Sequence, residues 1–156
     1  MKAILVKEVH GLHGTASMSV PEDIPLDDVI TRLAHDPGLR GLFLTDSRQR
    51  FVGVITRRDL TKWVRLQLFG ETGRRDLSAW EVVSLVSARK GKDVLRGEAQ
   101  LVGVKETDTL QTALDQMIAS KEDIIPVLDG DRRIIGDLKL SEVLLKTIEA
   151  GRQTKL

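Results

Sequence analysis

Gly53-Val54-Ile55-Thr56-Arg57-Arg58-Asp59-Leu60 recurs in altered form in the second half of the chain, as Gly136-Asp137-Leu138-Lys139-Leu140-Ser141-Glu142-Val143. Each copy reads as an apolar strand, a polar elbow and the start of a helix. Such a repeat says that the fold is built from two similar halves. Outward from the second copy, Leu101-Val102-Gly103-Val104 reads as a strand, and Glu106-Thr107-Asp108-Thr109 as a turn rich in helix-capping residues. Leu110, Ala113, Leu114, Met117 and Ile118 then fall at helical spacing. Ile124-Ile125-Pro126-Val127-Leu128 is an apolar strand, Asp129-Gly130-Asp131 a tight turn, and Arg133 to Leu138 the return strand. Val143, Leu144, Thr147 and Ile148 line one face of a last helix.

The first half repeats this order. Ala16 to Val20 is a strand, Leu26, Val29, Ile30 and Leu33 a helical stripe, and Gly41 to Leu44 a strand. Asp46-Ser47-Arg48-Gln49 is a turn, Phe51 to Ile55 the return strand, and Leu60, Trp63, Val64 and Leu68 mark the closing helix. The offset from Leu26 to Leu110 is longer by one than the offset from Gly53 to Gly136, so the first half carries an extra residue near His35-Asp36-Pro37-Gly38. Each half is β-α-β-β-α, and a sheet of about three strands is small to stand alone. Two copies packed sheet against sheet would share a core. The expected organisation is an N-terminal strand or extension over 1–13, containing Ala3 to Val6, a first motif over 14–69, a linker over 70–97, a second motif over 98–150 and a tail over 151–156. In the linker, Leu77, Trp80, Val83 and Val86 suggest a bridging helix.

Composition excludes several classes. Hydrophobic residues make up 41% of the 156, which supplies a core. Lys and Arg number 24 against 23 Asp and Glu, a balance that argues against nucleic acid or an anionic membrane as partner. There is no cysteine, which rules out disulfides, thiol catalysis and thiolate metal sites. No apolar run approaches the ~20 residues needed to span a bilayer, and the N-terminal apolar run is too short for a signal peptide. A cytoplasmic protein is expected. His10 and His13 form an H-x-x-H that nothing nearby completes as a zinc site, so no metal is assigned. No P-loop, GxSxG elbow or GxGxxG is present, and the paired carboxylates Asp27-Asp28 and Glu122-Asp123 read as solvated, so no enzyme is expected.

The chemistry concentrates at the first elbow. Thr56 stands at a helix start, where free N–H groups and the helix dipole favour an anion. Arg57 and Arg58 lie in the same turn and oppose that dipole unless a phosphate visits, which arginine reads bidentately. Thr-x-x-Asp is also a capping box in which Thr56 and Asp59 satisfy each other's backbone groups; the two roles can coexist. The second elbow has Lys139 in place of the threonine and Glu142 in place of the aspartate.

The tandem β-α-β-β-α pattern resembles a pair of cystathionine-β-synthase (CBS) domains, over about residues 14–69 and 98–150. The most specific marks are Gly53 to Asp59 and the strand Ile125-Pro126-Val127. The resemblance implies an α+β fold with pseudo-two-fold symmetry and a cleft between the halves for an adenosine nucleotide, which is AMP, ADP, ATP or S-adenosylmethionine. It implies that Asp59 holds ribose hydroxyls and that Thr56 sits by ribose and phosphate. Thr15, Ala16 and Ser17, with Leu42 and Phe43, are then expected near the adenine, and Lys139 and Glu142 mark a degraded second site. No cofactor is required beyond the regulatory nucleotide. A homodimer and an effector protein are the expected partners. The alternatives are a dimerisation or scaffold module without ligand, and a nucleic-acid-binding adaptor.

Overall fold

The computed structural model describes residues 2–11, 17–69, 79–95 and 102–154. The first half runs β1 (Ser17–Pro21), α1 (Leu26–His35), β2 (Gly41–Thr45), β3 (Phe51–Ile55) and α2 (Arg57–Phe69). A helix α3 (Ala79–Val86) follows, then a short 3-10 turn at Gly91–Val94. The second half supplies α4 (Leu110–Ser120), β4 (Ile124–Leu128), β5 (Ile134–Lys139) and α5 (Leu140–Thr154). The first sheet has the order β1-β2-β3, with β1 parallel to β2 and β3 antiparallel. In the second, β4 and β5 are antiparallel, and Val104 adds one parallel bridge to Val127.

The repeat in sequence is a repeat in register. Leu42 pairs with Ile55 and Leu44 with Gly53, and their equivalents do the same: Ile125 pairs with Leu138 and Val127 with Gly136. Both hairpins carry a bulge at the same place, after Leu44 and after Val127. Both turns are built alike. The Asp46 carboxylate accepts from the N–H groups of Arg48 and Arg50, and Asp129 accepts from those of Asp131 and Arg133. Gln49 and Arg132 take the left-handed conformation at φ 63° and 64°. The Arg50 N–H first, then that of Arg48 and the Arg50 side chain, hold the Asp46 carboxyl below the usual carboxylate range. The extra residue of the first half is absorbed in the loop from α1 to β2, which is longer than the loop from α4 to β4.

Strand alternation divides the core into three layers. Leu42, Leu44 and Ile55 face α1 with Val29 and Leu33. Ile125, Val127 and Leu138 face α4 with Ala113 and Met117. Phe43, Phe51 and Val54 turn the other way and meet Ile124 and Leu128 between the sheets, with Phe43 edge-on to Phe51 at 5.7 Å. The bulge explains why Phe51 and Val54, an odd step apart on one strand, share that face. The sheets thus pack on each other, and the two halves close about a pseudo-two-fold axis.

Two expected strands are absent among the described residues. Ala3 to Val6 contributes a single bridge, Leu5 to Thr109, before turning into a 3-10 helix at Val6–Glu8. The Glu8 carboxylate, which accepts from the Leu5 N–H at 2.7 Å, tightens that turn. Val6 and Val9 bury themselves in the core of the second half. Of the residues expected as the strand before α4, Val102 and Gly103 are irregular and Val104 makes only its bridge; Leu101 lies outside the described residues. Gly103 N–H and C=O are taken by the Gln116 side-chain amide, both at 2.8 Å, in place of a sheet partner. Leu77 and His13 likewise lie outside the described residues.

The helical stripes differ in part from expectation. In α2, Leu60 and Leu66 are buried and Trp63 packs partly on the core, while Val64 and Leu68 face out. In α5 Val143 is buried, but Leu144, Leu145 and Ile148 are exposed. Trp80, Val83 and Val86 of α3 are also exposed. These helices carry more apolar surface than the sheets of one chain can cover.

The inter-sheet layer makes unfolding of the halves a joint event. Phe43→Ala is expected to cost about 3–5 kcal/mol and to leave one cooperative transition in urea; separate transitions for the two halves would contradict the shared core.

Candidate functional site

The turn from β3 into α2 places the Thr56 elbow. The Asp59 carboxylate Oδ2 accepts from the Thr56 N–H at 2.9 Å and from Thr56 Oγ1 at 3.0 Å, so the capping box is formed. Arg57 bends back, and its guanidinium donates to the carbonyls of Leu39 and Asp36, both at 2.6 Å. It thereby ties the start of α2 to the loop after α1. The Arg58 side chain has no hydrogen bond or ion pair among the described residues.

Thr56, Arg57 and Arg58 line one wall of a cleft of about 590 Å³, together with Pro37 and Arg40. The second half supplies the facing wall: Leu114, Met117 and Ile118 on α4, Lys121 to Asp123 beyond it, and Leu140. Arg40 Nη1 reaches Asp123 Oδ2 at 3.6 Å from wall to wall. Lys121 ends α4 in the left-handed conformation, and its ammonium has no partner among the described residues. The cleft therefore offers a helix N-terminus with Arg58, unpaired among the described residues, on one side, and an apolar helix face ending in the Lys121 ammonium on the other. An anion bearing a flat apolar body satisfies both.

The structure separates the remaining candidates. Ser17, Gly41 and Thr56 lie at the same end of the first sheet, with β2 intervening, so Ser17 and Thr56 are about 10 Å apart across two strand spacings. Ser17 Oγ instead donates to Asp137 Oδ2 of the second half at 2.6 Å. Leu42 and Phe43 are fully buried in the core of the first half and in the inter-sheet layer, and neither lines the cleft. A strand covered on both faces has no side chain left for a ligand. Asp59 is not among the lining residues either. Thr15 and Ala16 lie outside the described residues.

The second elbow is built otherwise. The Lys139 N–H donates to Glu142 Oε1 at 3.0 Å, the counterpart of the first elbow's Thr56–Asp59 bond. The Lys139 ammonium lies 3.1 Å from Glu142 Oε1 and 3.3 Å from Asp137 Oδ1, and both carboxylates are buried. Lys139 thus contributes nothing to the cleft of the first elbow. Sequence reasoning missed Arg40 and Lys121. One signal was present: Arg40 and Asp123, opposite in charge, hold equivalent positions in the repeat, each just before the central strand of its half.

A family model described as CBS domain matches residues 6–66 and 92–147. No curated protein matches the sequence. Among solved structures, the chain is similar to a CBS domain-containing protein from Thermotoga maritima, at 26% identity and TM-score 0.73, with 94% of this chain and 95% of that one covered. It is similar in fold to a CBS domain protein from Pyrobaculum aerophilum complexed with AMP, at 20% identity, TM-score 0.62 and 89% coverage of both chains. A third such structure is a CBS domain pair in complex with 5′-methylthioadenosine and S-adenosyl-L-methionine, at 14% identity and TM-score 0.59, covering 97% of this chain and 99% of that one.

The two arginines of the first elbow should separate in thermodynamic measurements without ligand. Arg57→Ala removes a charged donor from two carbonyls and is expected to cost about 1.5–3 kcal/mol in chemical unfolding. Arg58→Ala should stay within about 0.5 kcal/mol of the parent.

Proposed function

The chain belongs to the CBS domain family, and from that membership we propose that it is a regulatory module that binds an adenosine nucleotide between its halves. The observation that carries this reading is the cleft itself. The N-terminus of α2, with Arg58 unpaired among the described residues, faces an apolar stretch of α4 from the other half. The phosphate would sit at the start of α2, held by backbone N–H groups, Arg58 and Lys121. The adenine would lie against Leu114, Met117, Ile118 and Leu140. Asp59, next in sequence to the lined wall, would take the ribose hydroxyls while continuing to cap α2, since a carboxylate has lone pairs for both. Solved relatives of this fold in complex with AMP, or with methylthioadenosine and S-adenosylmethionine, support the choice of an adenosine compound.

Binding, rather than turnover, is the output. A ligand that touches both walls favours the arrangement of halves in which both contacts are made, and shifts the population toward it. The exposed apolar residues of α2 and α5, Val64, Leu68, Leu144, Leu145 and Ile148, support a two-fold homodimer. The ligand-dependent arrangement would then be read by an effector protein. A dimerisation scaffold without ligand is the second reading, favoured by the same apolar surface.

Thermal unfolding with AMP, ADP, ATP and S-adenosylmethionine distinguishes the two. A nucleotide at 100 times its Kd adds about 2.7 kcal/mol of stability; no rise in Tm with any of the four leaves the scaffold reading. Arg58→Ala should weaken binding roughly tenfold, about 1.4 kcal/mol, with the free protein unchanged. Sedimentation of the ligand-free protein tests the dimer.

A further inference from the structure

The second elbow carries three linked replacements. In the first half the positions are Val54, Thr56 and Asp59; their equivalents in the second half are Asp137, Lys139 and Glu142. Val54 belongs to the apolar layer between the sheets. Its counterpart Asp137 occupies the equivalent place on β5, where a carboxylate requires a partner. Its partners include the Lys139 ammonium at 3.3 Å and the hydroxyl of Ser17 on the first half at 2.6 Å. Glu142, one methylene longer than Asp59, brings its carboxylate to 3.1 Å from the same ammonium. Only 7% of the Lys139 side chain is exposed.

The frame folds without this cluster, because the first half uses the same register and the same capping bond with a valine and a threonine in place of the aspartate and lysine. Burying three charges is costly unless they are well paired. The fold therefore does not demand the cluster, which buries an ammonium at the start of α5, where the first elbow has its threonine. Ser17 adds a bond from one half to the other across that flank.

We propose that Lys139, held by Asp137 and Glu142, is the specificity-determining residue that closes the second elbow to nucleotide, with its own ammonium as the resident ion. The chain then takes one nucleotide, at the first elbow. This rests on the nucleotide reading given above, yet the closure itself can be tested apart from it.

Two measurements on the full chain decide the matter. Titration calorimetry with AMP should give one site per chain for the parent and two for Asp137→Val/Lys139→Thr/Glu142→Asp. That variant replaces the cluster as a unit with residues the first half already uses; its folding is checked by circular dichroism. Two sites in the parent, or one in the folded variant, would overturn the proposal. Native-state acetylation read by mass spectrometry needs no nucleotide: Lys139 should react several-fold more slowly than Lys121 and Lys146. If AMP binds neither protein, the nucleotide reading fails and the labelling alone decides closure. Equal reactivity of Lys139 would sink it.

Discussion

Residues on the axis between the halves must be compatible with their own counterparts, and the rest of the molecule is arranged around that constraint. Gly41 lies against Ile124, its equivalent in the second half: a Cβ on Gly41 would stand 3.4 Å from Ile124 Cγ2 and 3.2 Å from Val54 Cγ2. Such spacing leaves little room for a side chain on one of the two equivalent positions. Arg50 forms an isolated bridge with Arg133, its own equivalent, and the Phe51 N–H donates to the Arg132 carbonyl. At the other end Arg40 meets Asp123. A strictly identical repeat would place like charges there, which are unfavourable at short range. Divergence of the copies lets the halves close with an ion pair.

The same divergence separates the two elbows in chemistry while preserving them in backbone. Both make the bond from the elbow N–H to the carboxylate three positions on. In one, that bond leaves cations facing a cleft; in the other, the cation is inside the protein with two carboxylates about it. A capping box and a binding site are therefore compatible at the first elbow, because capping uses the carboxylate and leaves the helix start open to an anion. At the second elbow the charges satisfy one another.

Much of the fold was legible in the sequence because hydrophobic period, turn residues and repeat offset all agree. The Asp-containing hairpin turns, the Thr109 cap of α4, whose hydroxyl accepts from the Thr112 N–H, and the loop that absorbs the extra residue follow from local chemistry. The errors have non-local causes. Gly103 reads as part of a strand until the Gln116 amide, on the following helix, claims both of its backbone groups. Ala3 to Val6 reads as a strand because it is apolar, but its role is to place Val6 and Val9 in the second core. Apolar period places Leu144 and Ile148 on a helix face without saying whether the chain covers that face.

The site was half legible. Thr56, Arg57 and Arg58 stand out because cations at a helix start oppose its dipole, a contradiction visible in sequence. By itself, then, the sequence determined the two-fold repeat, most of the secondary structure of each half and the elbow where arginines gather at a helix start, all of which depend on close neighbours in the chain. Only the tertiary structure decided which side chains share a cleft. It set Arg57 onto the Leu39 and Asp36 carbonyls, brought α4 and Lys121 opposite Arg58, sealed Leu42 and Phe43 in the core, and enclosed Lys139 between two carboxylates. Those outcomes depend on how two sheets pack about an axis, and packing joins residues from opposite halves of the chain that no local pattern connects.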